Sequence, residues 1–402
     1  MAEHTQPPNL ESKTFCIMPW THQNISLPFQ YHPCCNTSIP YKLVSAKDTS
    51  VKDAFLGSEA TKLREQLNAG ERPNICSTCW NKEDMGIESY RESFNKIFNH
   101  LLTPEYRFGP ILKYIDVEFD NVCNLQCRMC SPHNSDQIWK TVDLLNERGL
   151  ELPIKIGDHV RDHKYYQSEK KQYIKEVLEN IDIFKVTGGE PFLSKDFLEI
   201  VDFAIEKDFA KNITLKITTN GTKFSKTILD KFKNFKGVDM NISIDGFGEV
   251  YDYIRFPFSW EQLDKRLLEL KNYNFNIEFS CVVQAYNWLN LDQLANACKR
   301  YSDNDINMNF AIGPKDSELD AKFFPDHILD LGLERFKATD HYQVKDFENF
   351  VVYHKANRKN PNQMERKNDK LYETTINYDT VREQSYKTLD PVLVEWLNTL
   401  KI

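Results

Sequence analysis

At 402 residues, 41% hydrophobic and 27% charged, the chain has the balance of a soluble globular protein, long enough for one large core or two domains. No basic start leads into an apolar run, and no segment approaches about 20 uninterrupted apolar residues, so neither export nor membrane spanning is expected and the setting is read as cytoplasmic. A net charge of −8 offers no general electrostatic grip on a nucleic-acid backbone.

Ten cysteines with no secretion signal point to metal binding or catalysis rather than disulfides, because reducing cytosol keeps thiols free. Cys16, Cys34, Cys35, Cys76 and Cys79 form one group and Cys123, Cys127 and Cys130 a second, while Cys281 and Cys298 stand alone and read as packed hydrophobes.

The first 110 residues are aromatic, proline-rich and cysteine-rich, with one helix predicted over 50–70 and closed by Gly70. They read as a small separate module held by metal. Four thiolates, from Cys16, the Cys34–Cys35 pair, Cys76 and Cys79, would complete a [4Fe–4S] cluster or a zinc site, and spacing alone does not separate the two. Cys34 is preferred to Cys35 for its place after Pro33.

From residue 111 to 315, short β-rich runs ending in glycine or polar turns alternate with amphipathic helical stretches. The runs are 114-YIDVEFD-120, 184-FKVTGG-189, 213-ITLKITTNG-221, 238-VDMNISIDG-246, 275-FNIEFSCVV-283 and 306-INMNFAIGP-314. Six such units predict an α/β fold, a partial (β/α)6 TIM-like barrel with its ligand site at the carboxyl ends of the strands. Residues 131–180 exceed an ordinary connection and read as an insertion with a helix over 168–180. The basic run 354–370 reads as a solvated loop between two helices of a C-terminal helical extension, residues 316–402.

The segment 121-NVCNLQCRMC-130 follows the first predicted strand directly. Three soft thiolates on a short loop can hold three irons of a cubane cluster and leave the fourth open; zinc with a distant fourth ligand, or a structural cluster completed by a remote cysteine, are the competing readings.

With TGGEP after the second strand, TTNG after the third and SIDG after the fourth, the CxxxCxxC segment resembles the radical S-adenosylmethionine (radical SAM) enzymes. The resemblance implies a [4Fe–4S] cluster on Cys123, Cys127 and Cys130, with SAM as the ligand of the open iron. It also implies reductive cleavage of SAM to a 5′-deoxyadenosyl radical, and an electron donor of flavodoxin or ferredoxin type. Gly188 and Gly189 then leave backbone groups approachable and Glu190 meets the SAM amino group. Ser243 and Asp245, two apart and on one face, suit ribose hydroxyls, with Asn220 beside them. Arg255 resembles the arginine that pairs with the SAM carboxylate, and Met129 stands where a backbone contact to adenine is expected.

The first cysteine group, with 15-FCIMPW-20, 76-CSTCW-80, Glu83, Gly86 and Arg91, is similar to the twitch module of SPASM-type radical SAM enzymes, set here before the barrel instead of after it. That likeness implies a second, auxiliary [4Fe–4S] cluster on Cys16, Cys34, Cys76 and Cys79, with Cys35 as the alternative to Cys34. The leading expectation is a radical SAM oxidoreductase that passes an electron to the auxiliary cluster. The alternative is a peptide- or protein-modifying maturase forming crosslinks, thioethers or epimers. The substrate, a small molecule or a peptide, is not written in these motifs.

Overall fold

The computed structural model describes residues 7–27, 29–37, 49–150, 167–310, 317–358 and 360–400. Its strands are β1 (His22–Ser26), β2 (Gln30–His32), β3 (Tyr114–Glu118), β4 (Ile183–Thr187), β5 (Thr214–Thr219), β6 (Gly237–Ser243), β7 (Asn276–Val283) and β8 (Asn307–Phe310). They follow one another in a single sheet in the order β2-β1-β3-β4-β5-β6-β7-β8. β1 and β2 are antiparallel; β1 with β3, β3 with β4, β4 with β5, and β7 with β8 run parallel. All six predicted strands are present as β3 to β8, within an α/β fold. The last four or so residues of the 306–314 run, from 311, lie outside the described residues, as do 151–166 of the expected insertion.

The strands β5 to β8 alternate, whereas β3 is buried from Tyr114 to Val117. In β5, Leu215 and Ile217 are buried while Thr214, Lys216 and Thr218 are half-buried; β6 and β7 repeat the pattern. Parallel strands covered on both faces usually read as continuous apolar runs. Here one face takes the apolar side chains and the other keeps a polar lining, in which Lys185 reaches Asp116 at 2.8 Å and Lys216 pairs with Asp239.

The chain forms two compact units: residues 1–120 with 162–218 and 224–239, and residues 121–161 with 219–223 and 240–402. In the first unit β1 lies in parallel register with β3, His22 opposite Tyr114 and Ile25 opposite Val117. The N-terminal residues therefore extend the sheet rather than standing beside it.

Helices start where the sequence supplies caps. Ser194, Ser225 and Ser259 accept hydrogen bonds from Phe197, Ile228 and Gln262 N–H at the heads of the helices Lys195–Glu206, Lys226–Phe232 and Trp260–Leu270. The helix expected over 50–70 is two, Val51–Leu56 and Ser58–Asn68, parted at Gly57. The basic run 354–370 is a loop only at its centre. Pro361, at the first helical position with Asn360 as cap, opens a 22-residue helix to Arg382, since a fixed proline φ suits a helix start. Residue 359 lies outside the described residues. Among the described residues no helix is long and apolar enough to cross a membrane.

Candidate active site and metal centres

In the second unit, hydrogen bonds at its ends and middle fix the course of the three-cysteine segment. Asp136 N–H donates to Asn121 O at 2.8 Å, and the Asp136 carboxylate accepts from Cys123 N–H at 3.0 Å. Gln126 and Arg128 N–H donate to Phe256 and Ile254 O at 2.7 and 2.9 Å, so residues 254–256 act as a rail for the loop. The Arg128 side chain is anchored apart from the thiols: its guanidinium lies 3.6 Å from the Tyr253 ring centroid and Nε donates to Tyr253 O at 3.0 Å. Its Nη2 reaches the Asp379 carboxylate and, at 3.1 Å, Gln384 Oε1.

Cys127 is buried and Cys123 and Cys130 are half-buried. A hydrogen bond from Cys130 holds the Cys127 thiol below the ordinary cysteine range against the opposing effect of burial, with Arg255 lowering it further. Cys130 is pushed well up by giving that bond and by burial, and Cys123 is close enough to add to the rise. Three thiols thus share one neighbourhood, in which Cys127 ionises before Cys130.

Arg255 and Asp245, each read from the sequence as a SAM contact, face each other. Arg255 Nε and Nη2 donate to Asp245 Oδ2 at 2.7 and 2.6 Å, and Asp245 Oδ1 accepts from Val282 N–H at 2.7 Å. Asp245 is fully buried, and its carboxylate joins the guanidinium to the end of β7. Asn220, read as a ribose contact, instead places Nδ2 3.8 Å from Cys123 Sγ and 3.0 Å from Asn124 Oδ1. Asn124 in turn donates to Thr222 Oγ1 at 2.8 Å, which joins the TTNG turn to the cysteine loop. Ser243 ends β6, and Met129 lies in the loop between Arg128 and Cys130.

The chemistry of this donor set fits a cubane: three soft thiols on one segment, a buried guanidinium beside them, and no fourth cysteine on the loop. Residues 117–298 match the radical SAM superfamily. The match takes in the three-cysteine segment and the strands β4 to β7. The chain is 32% identical over 145 residues to the mycofactocin maturase MftC of Mycolicibacterium smegmatis, 35% of this chain and 36% of that protein. It is 27% identical over 132 residues to a GTP 3′,8-cyclase of Pasteurella multocida, 33% of each. The chain therefore spans about a third of the length of these curated relatives. A solved structure described as native anSMEcpe with bound AdoMet aligns with 60% of this chain and 62% of its own at 17% identity and a TM-score of 0.41.

The GGEP turn belongs to the first unit. Gly188 has φ +120°, and a Cβ there would stand 2.7 Å from Asp120 O. Gly189 N–H donates to the same carbonyl at 3.0 Å, and Ser194 Oγ donates to the Asp120 carboxylate at 2.6 Å. The turn is thus strapped to the second residue after β3. Glu190 is buried, and its carboxylate accepts from Phe192 N–H at 3.2 Å, capping the Pro191–Leu193 turn.

Also in the first unit, Cys16, Cys34, Cys76 and Cys79 line one small pocket together with Tyr90 and Arg91. Cys76 precedes the helix Ser77–Asp84 and Cys79 lies one turn into it, which aims both at one side. Arg91 ties the parts together: its fork grips the Glu83 carboxylate at 2.9 and 3.0 Å, and Nη1 donates to Phe15 O at 2.8 Å. Asn95 holds the same strand of chain from its other side, through Phe15 O and Ile17 N–H. Burial pushes the Cys76 thiol up to about 12 and raises the Cys16 and Cys34 thiols well above the ordinary cysteine range, each further raised by its cysteine neighbours. Cys35 is exposed and faces Lys185 and Asp116 instead. Among the described residues no group of His, Cys, Asp or Glu converges closely enough for a single metal ion. Cys281 and Cys298 are buried in β7 and in the helix Leu291–Cys298.

Sequence reasoning missed Arg128, Asp379 and Asn95. Arg128 lay in plain view inside the cysteine motif, but its carboxylate partner is 251 residues away.

Proposed function

We propose that the chain is a radical SAM maturase that modifies a peptide or protein, with an auxiliary [4Fe–4S] cluster on Cys16, Cys34, Cys76 and Cys79. The observation that carries this reading is the presence in one chain of a loop that brings three thiols together and a pocket lined by four further cysteines. When bound on Cys123, Cys127 and Cys130, a [4Fe–4S] cluster supplies the electron that cleaves SAM to methionine and a 5′-deoxyadenosyl radical.

The chain's own residues have defined tasks. Cys127 gives up its proton most readily of its pair, and Arg255 favours the resulting thiolate. Arg255 keeps N–H donors beyond the two that Asp245 takes, and a guanidinium held rigid in this way suits the SAM carboxylate. Asn220 and Asn124 hold the first cysteine's end of the loop. The positive φ at Gly188 lets the GGEP backbone turn against Asp120 without a side chain in the way. Four thiols around the second cavity leave no coordination place for SAM, which suits electron transfer or bracing.

The maturase reading is preferred to a small-molecule oxidoreductase because the relative named a maturase is the more similar, 32% identical against 27% for the cyclase. Anaerobic reconstitution is expected to give about eight irons per chain and reductant-dependent release of 5′-deoxyadenosine. Unaltered release by Cys127→Ala would overturn the radical SAM assignment. Deuterium carried into 5′-deoxyadenosine from a labelled peptide fraction supports the maturase, and transfer only from labelled small metabolites selects the oxidoreductase.

A further inference from the structure

Two of the arginines around the cysteine loop have carboxylate partners: Arg255 has Asp245, and Arg128 has Asp379. Arg382 has none among the described residues. It is the last residue of the helix Pro361–Arg382 and is 6% exposed. Its Nε donates to Thr141 Oγ1 at 3.1 Å, while Nη1 and Nη2 are buried without a hydrogen-bond partner. The Tyr378 and Phe256 rings lie 4.3 and 5.6 Å from the guanidinium, a partial substitute for water.

A buried guanidinium with two unsatisfied amino groups is costly unless an anion meets it. Burial and the charge of Arg128 lower its pKa to about 10, which leaves it a cation at neutral pH, and Cys127 is close enough for each to shift the other. Thr141, which accepts from Arg382, donates to Gln126 Oε1 at 2.7 Å, so the guanidinium is braced through one hydroxyl against the residue before Cys127. Each thiol of the loop that becomes a thiolate supplies the negative charge that this arrangement lacks.

We infer that Arg382 is the counter-charge of the cluster on Cys123, Cys127 and Cys130, carried to the loop by the C-terminal helix, and that it raises the cluster's reduction potential. The inference rests on the reading of this loop as a cluster site. Adding an electron makes the cluster and its thiolates more negative, and a fixed cation nearby stabilises the reduced state more than the oxidised one; net charge and hydrogen bonds to sulfur are the protein's main controls on such potentials. Arg382 is a positioning and electrostatic residue in this scheme and takes no part in bond breaking.

The test is a redox titration of the reconstituted full chain, following the reduced-cluster EPR signal that changes on addition of SAM. In Arg382→Gln, iron content is expected to stay at the wild-type level while the reduction equilibrium shifts at least tenfold toward the oxidised cluster, about 59 mV for one electron. Arg382→Lys keeps the charge near neutral pH but gives a buried amine that titrates, so its midpoint is expected to match wild type at pH 7 and to fall away from it at alkaline pH. If Arg382→Gln does not fold, the pH dependence of Arg382→Lys decides alone. A wild-type midpoint in Arg382→Gln, or an Arg382→Lys midpoint that follows wild type at every pH, overturns the inference while the cluster site stands. Absence of any SAM-sensitive signal in the wild type removes the cluster-site reading and the inference together.

Discussion

Asp379, in the last turns of the helix Pro361–Arg382, holds the guanidinium of Arg128 inside the three-cysteine loop. The same carboxylate accepts from Tyr386 N–H at 2.6 Å, so one side chain fixes both the loop and the turn that follows the helix. Both partners are almost wholly buried, at 1% and 10% side-chain exposure.

Asp379→Asn therefore leaves a buried guanidinium short of its charge partner, at a cost of about 3 kcal/mol. Chemical denaturation should record that loss. Iron should also leave the loop faster under a chelator than in the wild type, since Arg128 then keeps only Tyr253 and Gln384.

Cys34 and Cys35 should behave differently although they are adjacent. Cys34→Ser is expected to lower reconstituted iron by about half, the share of one [4Fe–4S] cluster, and Cys35→Ser to leave it unchanged. Equal losses from the two variants would contradict the cavity of Cys16, Cys34, Cys76 and Cys79 as the auxiliary site.

Gly188→Ala should destabilise more than Gly70→Ala. Both glycines have positive φ, but the added methyl at Gly188 meets Asp120 O at 2.7 Å, whereas Gly70 has nothing within 4 Å. Backbone strain of about 1–3 kcal/mol applies to the left-handed conformation, and the clash adds to it only at Gly188. A comparison of the two Tm values checks the ranking.

His22 supplies a pH dependence. Burial lowers its pKa from 6.5 to about 4, with Nδ1 set against Pro33 O at 3.1 Å, so the folded protein holds it neutral. The folded state binds fewer protons than the unfolded one between these values. The associated stability is full above pH 6.5, declines as pH falls toward 4, and reaches about 3 kcal/mol of loss there. Urea titrations at pH 7 and pH 5 should show a smaller difference for His22→Gln than for the wild type.

The strands β5 to β8 were legible because each alternates, and β3 and β4 because aromatic and β-branched residues crowd them although their burial does not alternate. β1 and β2 were not, since HQNIS and QYH are short and polar and become strands only by pairing with β3 and with each other. The cysteine groups declared themselves by spacing, but the geometry distinguishes neighbours that spacing could not, as with Cys34 and Cys35. The partners of Asp245, Arg255 and Val282 N–H, stand 10 and 37 positions away, and no local pattern pairs them. The Arg382 contact to Thr141 joins positions 241 apart, beyond any local pattern.

The register of β1 on β3 also bears on how this chain can be cut. Trimmed to begin at residue 111, it would open on β3 with His22 to Ile25 gone from its flank. A row of backbone N–H and C=O groups would then lie bare along a hydrophobic strand, an invitation to pair with the same edge of another copy. The N-terminal hundred residues are thus a sheath for that edge, and removing them is expected to yield aggregates rather than a smaller enzyme.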